Sequence, residues 1–291
     1  MLTVEQKSHD KETPAATVID ARARHHYWAG RGQLSVKTFR GGAAMYAVGG
    51  TRVRVDDASF LVLNDQQDYE IEIDATTPIE SFCVFFPSSM VGEVLRLGTM
   101  TDGALLDDPE ALVSVPQLAE RTRPRDEVVT PAIDRVRQAL RSGVSEGELA
   151  RQSQALLRCI LRLAQVDRQE STDLGALKTA TREELYRRLH RARDYMSACP
   201  EDRLTNHDLA SVACLSPGHF ERCFQELFGQ TPHRFLTGVR LQRASDLLRS
   251  TELSVTQVCL QTGFESPASF SRLFRRHVGQ SPSQFRLTCR A

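Results

Sequence analysis

Arg222 and Arg272 are the side chains with the most evident chemistry in this sequence. Each stands six residues after a Ser-Pro start, at Ser216-Pro217 and Ser266-Pro267. A guanidinium fork can grip O6 and N7 of a guanine with two parallel hydrogen bonds. Arg275 and Arg276 follow Arg272 closely, and clustered cations of this kind suit phosphates. Other chemistries lack their residues. There is no G-x-S-x-G, no phosphate-binding P-loop and no dinucleotide fingerprint. The N-terminal histidines, His9, His25 and His26, have no metal-site spacing, and the adjacent pair would point to opposite faces of a strand. The seven cysteines include no CxxC, which argues against a disulfide framework or a zinc finger. Cys214, Cys223 and Cys259 fall at apolar helix positions, as small hydrophobes do. The expectation is a non-enzyme with no catalytic residue, metal or cofactor.

The elements that hold these arginines are written twice. Ser216-Pro217, Phe220, Arg222, Phe224, Gly229-Gln230, Pro232 and Phe235 recur as Ser266-Pro267, Phe270, Arg272, Phe274, Gly279-Gln280, Pro282 and Phe285. A fixed internal period shows one structural unit used twice. The serines suit an N-cap, whose hydroxyl accepts an orphan backbone N–H, and proline suits the first helical position. Phe220, Phe224 and Leu227 share one helical face, as do Phe270, Phe274 and Val278. Gly229 and Gly279 stop the helices. A shorter helix precedes each, capped by Thr205 in one case and by Ser254 with Gln257 in the other. Each unit, 205–229 and 254–279, reads as a helix-turn-helix, with Arg222 and Arg272 early in the second helix, the part that meets base edges in a major groove.

Gly263-Phe264-Glu265-Ser266, Phe270-Ser271-Arg272-Leu273-Phe274 and the run Gly279 to Arg286 closely match a family signature. On these residues the region from about Thr181 to Arg290 resembles the DNA-binding domain of the AraC/XylS family of bacterial transcription regulators. The resemblance implies an all-α domain in which two helix-turn-helix units, joined by one long helix, enter successive major grooves of double-stranded DNA. Thr231-Pro232 followed by Phe235, Leu236, Val239, Leu241, Ala244, Leu247 and Leu248 fits the joining helix. Base-facing positions carried over residue by residue are Gly218, Glu221 and Arg222 in the first unit. In the second they are Ala268, Ser269, Ser271 and Arg272. Gly218 departs from the family, which has a larger side chain there, so the first unit should discriminate less.

Net charge supports the same partner once it is divided. The chain has 37 Lys plus Arg and 37 Asp plus Glu, hence zero overall. From Thr181 onward there are 16 Arg, no Lys and 11 Asp plus Glu, a surplus of 5 that the remainder balances with the opposite sign. A locally basic domain is enough to attract phosphates. With 291 residues the chain has room for two domains. No apolar run nears the roughly 20 residues of a membrane span, and Met1–Lys7 lacks a signal-peptide segment, so a cytoplasmic protein with no membrane partner is expected.

Residues 1–20 read as a flexible arm. From Ala21 to Pro87 the period is two, as in Leu34-Ser35-Val36-Lys37, 51–56 and 69–74, with apolar runs at 60–63 and 82–86. Turn signals, among them Thr77-Pro78, separate them, which predicts a small sandwich or barrel of five or more strands. Tyr27, Trp28, Phe39, Tyr46 and Tyr69 fall at strand spacing, as core or as pocket lining. The family resemblance, weaker here, implies a cupin-like barrel that binds a small-molecule effector. Residues 88–180 turn helical, with Met90, Val94 and Leu97 on one segment and Ile133, Val136 and Leu140 on another. Ser145 with Glu148 opens a helix whose Leu149, Leu156, Ile160 and Leu163 form an apolar stripe. That stripe fits a homodimer seam or the chain's own core, and dimerisation is the reading adopted. The polar run 167–173 reads as the start of a linker, 171–180, between an effector and dimerisation domain, 21–170, and the DNA-binding domain, 181–291. The functional expectation is an effector-responsive, sequence-specific regulator, with RNA polymerase as a partner where it activates. The alternatives are a cupin-type enzyme tethered to DNA and an architectural DNA binder without effector.

Overall fold

The computed structural model describes residues 15–99, 114–172, 174 and 179–290. They divide into two compact units, Met1–Gly49 with Val55–Gln169 and Gly50–Arg54 with Glu170–Ala291. No described helix is long and apolar enough to cross a membrane.

The first unit is built on a barrel-like antiparallel sheet, to which the second unit's residues 51–54 contribute most of one edge strand, β4. Its strands are β1 (Thr17–Gly32), β2 (Leu34–Arg40), β3 (Ala44–Val48), β4 (Thr51–Val55), β5 (Ser59–Leu63), β6 (Gln67–Phe86) and β7 (Thr122–Pro124). β6 is the spine. It pairs with β1 from Gln67 to Phe85, and on its other edge with β3 over 69–72 and with β2 over 80–86. β5 and β7 follow beyond β2, and β4 beyond β3. The Thr77-Pro78 turn signal corresponds to no turn. It lies where the β1 register shifts between Ala23 and His25, so the strand bulges there and runs on. A proline, having no N–H to donate, is tolerated at such a bulge. Of the arm expected over 1–20, the part from Thr17 on is strand β1, and residues 1–14 lie outside the described residues.

One face of the sheet presents Leu34, Val36, Phe60, Val62, Phe82, Val84 and Phe86 to helices α1 (Ser88–Thr99), α2 (Val129–Arg141) and α3 (Glu146–Thr172). This corrects the dimer seam. Leu156 and Ile160 are 0% exposed within that core, and Leu149 and Leu163 pack against it. An apolar sheet face must be covered, and the long amphipathic helix covers it within one chain. The polar run at 167–173 is not linker at its start, since α3 continues to Thr172. The helix holds there because Asp167 is buried between Arg121 at 3.1 Å and Arg123 at 2.5 Å and accepts the Ala119 N–H at 2.9 Å. Burial alone would raise this carboxyl; the two guanidinium groups outweigh it and leave it below the usual range.

The opposite face is also closed to water. The alternation Leu34-Ser35-Val36-Lys37 implies an exposed polar side, yet Ser35 is 0% and Lys37 2% exposed, because the sheet curls around that side. Phe39, Tyr46 and Tyr69 are buried, Trp28 is half-buried against Tyr69, and Tyr27 lies outside.

Apart from the short segment Gly50–Arg54, the second unit is helical. It comprises α4 (Thr179–Ala198), α5 (Asn206–Val212), α6 (Pro217–Phe228), α7 (Pro232–Ser250), α8 (Val255–Gln261), α9 (Pro267–Val278) and α10 (Pro282–Arg290). α4 starts two residues before the Thr181 cap expected from the sequence.

Candidate nucleic-acid interface

The repeat written in the sequence is present as two helix pairs, α5–α6 and α8–α9. Thr205 and Ser254 each complete a capping box, with Asp208 and Gln257. Ser266 caps α9 by accepting the Ser269 N–H at 3.4 Å. Ser216 occupies the matching position on α6 without a side-chain bond, so that expected contact is absent and Pro217 is left to start the helix. Phe220, Phe224, Phe270 and Phe274 are all 0% exposed. Phe274 meets Phe270 at 5.6 Å and Phe285 at 5.6 Å, with Leu241, Ala244 and Leu248 of α7 completing that core. The aromatic faces thus lock α6 and α9 in place and turn their polar faces outward.

The two turns differ by one residue. Cys214 and Gly263 hold the same place after α5 and α8, with matching backbone hydrogen bonds to Ser211 and Leu260. From there Ser216 is two residues on and Ser266 three, so Glu265 is an insertion in the second turn.

On α6, Gly218, Glu221 and Arg222 are exposed. A side chain at Gly218 would meet nothing within 4 Å, so the helix surface has a gap there. Glu221 is engaged, accepting from Asn206 Nδ2 at 3.5 Å. Arg222 lies against Cys223, whose thiol burial pushes up while the guanidinium opposes it. On α9, Ala268 and Arg272 are exposed, and Ser269 and Ser271 are half-exposed. Arg275 and Arg276 are exposed as well. Arg272, Arg275 and Arg276 line one open recess of about 610 Å³ with Ser271, Gly279 and Ser281. Among the described residues none of these three arginines has an ion-pair partner. Ser281 was not singled out in the sequence, though its signal was there: Gly279 ends α9 and Ser281 opens α10, which folds the serine back beside the arginines. No group of three or more His, Cys, Asp or Glu among the described residues could hold a metal. His25 instead pairs with Asp74 across β1 and β6 at 3.0 Å.

This geometry defines a double helix-turn-helix domain. A family profile described as a helix-turn-helix domain matches residues 209–288. The HTH-type transcriptional regulator CdhR of Pseudomonas aeruginosa is 45% identical over 86 residues, covering 30% of this chain and 26% of that protein. The arabinose operon regulatory protein of Escherichia coli is 35% identical over 88 residues, 29% of this chain and 30% of that one. An AraC-type DNA-binding-domain regulator from Chromobacterium violaceum, of known structure, is 32% identical, covers 35% of this chain and 91% of its own, and has a TM-score of 0.34. The chain therefore spans about three tenths of the length of the curated relatives it matches. Residues 209–288 thus match a helix-turn-helix domain family, and the C-terminal unit is similar to the DNA-binding portions of these regulators.

Proposed function

We propose that this protein is a DNA-binding transcription regulator whose C-terminal unit reads double-stranded DNA through α6 and α9. The observation that carries this reading is the face of α9. Arg272, Arg275 and Arg276 are exposed and share one recess, without an ion-pair partner among the described residues. Three uncompensated guanidinium groups on one helix suit a polyanion. Arg272 sits where a recognition helix meets base edges, and Arg275 and Arg276 lie one turn later, where phosphates run. The first unit offers Gly218, Glu221 and Arg222, of which Glu221 is already bonded to Asn206, so it contributes more to register than to base choice. We assign the input to the N-terminal unit, which has its own core and encloses a second sheet face around Lys37 and its aromatic neighbours; a small-molecule effector bound there is the proposed signal. One chain already carries two recognition helices, so bivalent contact with DNA does not depend on a homodimer.

The test uses a duplex selected by the full chain from a random-sequence pool. Arg272→Ala should weaken binding to it by about 1–3 kcal/mol and relax preference at one base pair, whereas Arg275→Ala should weaken selected and random duplexes alike and lower the salt slope by about one. Equal affinity of the unaltered protein for selected and random duplexes, at physiological salt, would overturn the reading.

A further inference from the structure

The two helix-turn-helix units share one axis, α7, because both pack on it. A single axis does not fix an angle, since two bodies on one rod can still rock about it. A second contact away from the axis is required, and the structure has one. Arg240 of α7 donates from Nε to the Pro200 carbonyl at 2.7 Å and from Nη2 to the Asp202 carbonyl at 2.9 Å. Both carbonyls lie in the loop that leads into α5, the entry to the first unit. The same guanidinium lies 6.0 Å from the ring centre of Phe264, in the turn of the second unit. Beside it, Gly263 has φ +80°, and a Cβ there would stand 2.8 Å from the Pro200 oxygen and 2.9 Å from Arg240 Nε. The turn of the second unit thus rests directly on the hydrogen bond that ties α7 to the first. At the rim Arg203 and Glu265, the residue inserted in the second turn, pair across the same junction at 3.7 Å.

We propose that Arg240, seated against Gly263, is a positioning residue that fixes the two recognition helices relative to each other and thereby fixes the number of base pairs between the two half-sites they read. This rests on the DNA-binding reading above. Each base pair added between half-sites moves the second by about 3.4 Å and turns it by about a tenth of a helical revolution. A locked pair of units cannot follow that displacement, whereas a pair free to rock about α7 follows much of it.

The experiment measures affinity of the full chain for the selected duplex, for derivatives with one base pair inserted or removed between the footprinted half-sites, and for a duplex with one half-site scrambled. The unaltered protein should lose about 100-fold or more on a spacing change, as expected when the second module disengages. Arg240→Met, which keeps the apolar stem and removes the fork, should cut that penalty to under about tenfold while binding the scrambled duplex with unchanged affinity. Arg240→Lys, which can reach only one carbonyl, should fall between. Gly263→Ala, which drives a methyl into the Pro200 oxygen, is the second route and should also lower the spacing penalty if Arg240→Met fails to fold. Full spacing discrimination retained in Arg240→Met or in Gly263→Ala would overturn the proposal. So would an unaltered protein indifferent to spacing, and that result leaves DNA reading intact. Indifference to sequence itself would instead sink the functional reading on which the proposal rests.

Discussion

Replacing Lys37 by methionine should make the N-terminal unit more stable. Lys37 is 2% exposed on the enclosed face of the sheet. Its ammonium donates to the Tyr69 hydroxyl at 3.4 Å and sits 3.5 Å from the ring centre of Phe85, with no ion pair to a carboxylate among the described residues. Burial lowers its pKa from 10.5 to about 8, with Cys83 opposing weakly. That gap is worth about 3 kcal/mol against the folded state at neutral pH, and a buried cation–π contact returns about 1–2 kcal/mol. Lys37→Met keeps the length of the stem and removes the charge, so it should stabilise by about 1–2 kcal/mol at pH 7. The sign with pH follows from the direction of the shift. The folded pKa is the lower one, so from pH 8 to 10.5 the unfolded chain holds a proton that the folded chain has released, and stability rises with pH across that window. Between pH 7 and 9.5 the unaltered protein should gain about 2 kcal/mol relative to Lys37→Met. Urea unfolding followed by Trp28 fluorescence reads this unit alone, because Trp28 is the only tryptophan and its ring lies tilted 4.6 Å from that of Tyr69. A difference between the two proteins that stays constant from pH 7 to 9.5 would refute the reasoning, as would a methionine variant less stable at pH 7.

Three further outcomes follow from other parts of the fold. Phe274→Ala should cost about 3–5 kcal/mol and abolish DNA binding together with the cooperative helix melt; lost binding with an unchanged melt would remove Phe274 from the core. Leu156→Asp with Ile160→Asp should unfold the N-terminal unit, seen as a red shift of Trp28 emission, whereas a folded monomer would restore the stripe as a dimer seam. Cys214 holds φ +52°, so Cys214→Gly should relieve about 1–2 kcal/mol of left-handed strain, less about 0.5–1 kcal/mol of added chain entropy, and raise the melting temperature of the C-terminal unit by a few degrees.

What could be read from the sequence was local, and what could not was decided by a partner far along the chain. The capping boxes at Thr205 and Ser254, the prolines opening α6 and α9 and the glycines closing them act within a turn of helix, so the two helix-turn-helix units and the arginines on them were legible. The stripe Leu149, Leu156, Ile160 and Leu163 announced an apolar face but not its cover, which is a sheet more than 60 residues upstream. Asp167 looked like linker because its partners, Arg121 and Arg123, are over 40 residues away. The burial of Lys37 was not legible, because alternation shows which side of a strand differs and does not show that the sheet curls over that side.

Cys214 and Gly263 make the same division visible at one repeated position. Both residues have positive φ, 52° and 80°, so the backbone asks the same of each. Cys214, expected at an apolar helix position, instead stands exposed in the first turn just past the helix end, at the expense of some strain. In the second turn a Cβ would meet the Pro200 oxygen at 2.8 Å, so glycine is required twice over, by conformation and by space. The first requirement belongs to the local backbone of each turn. The second exists only because the other unit rests there, and the difference between two copies of one motif marks where they touch.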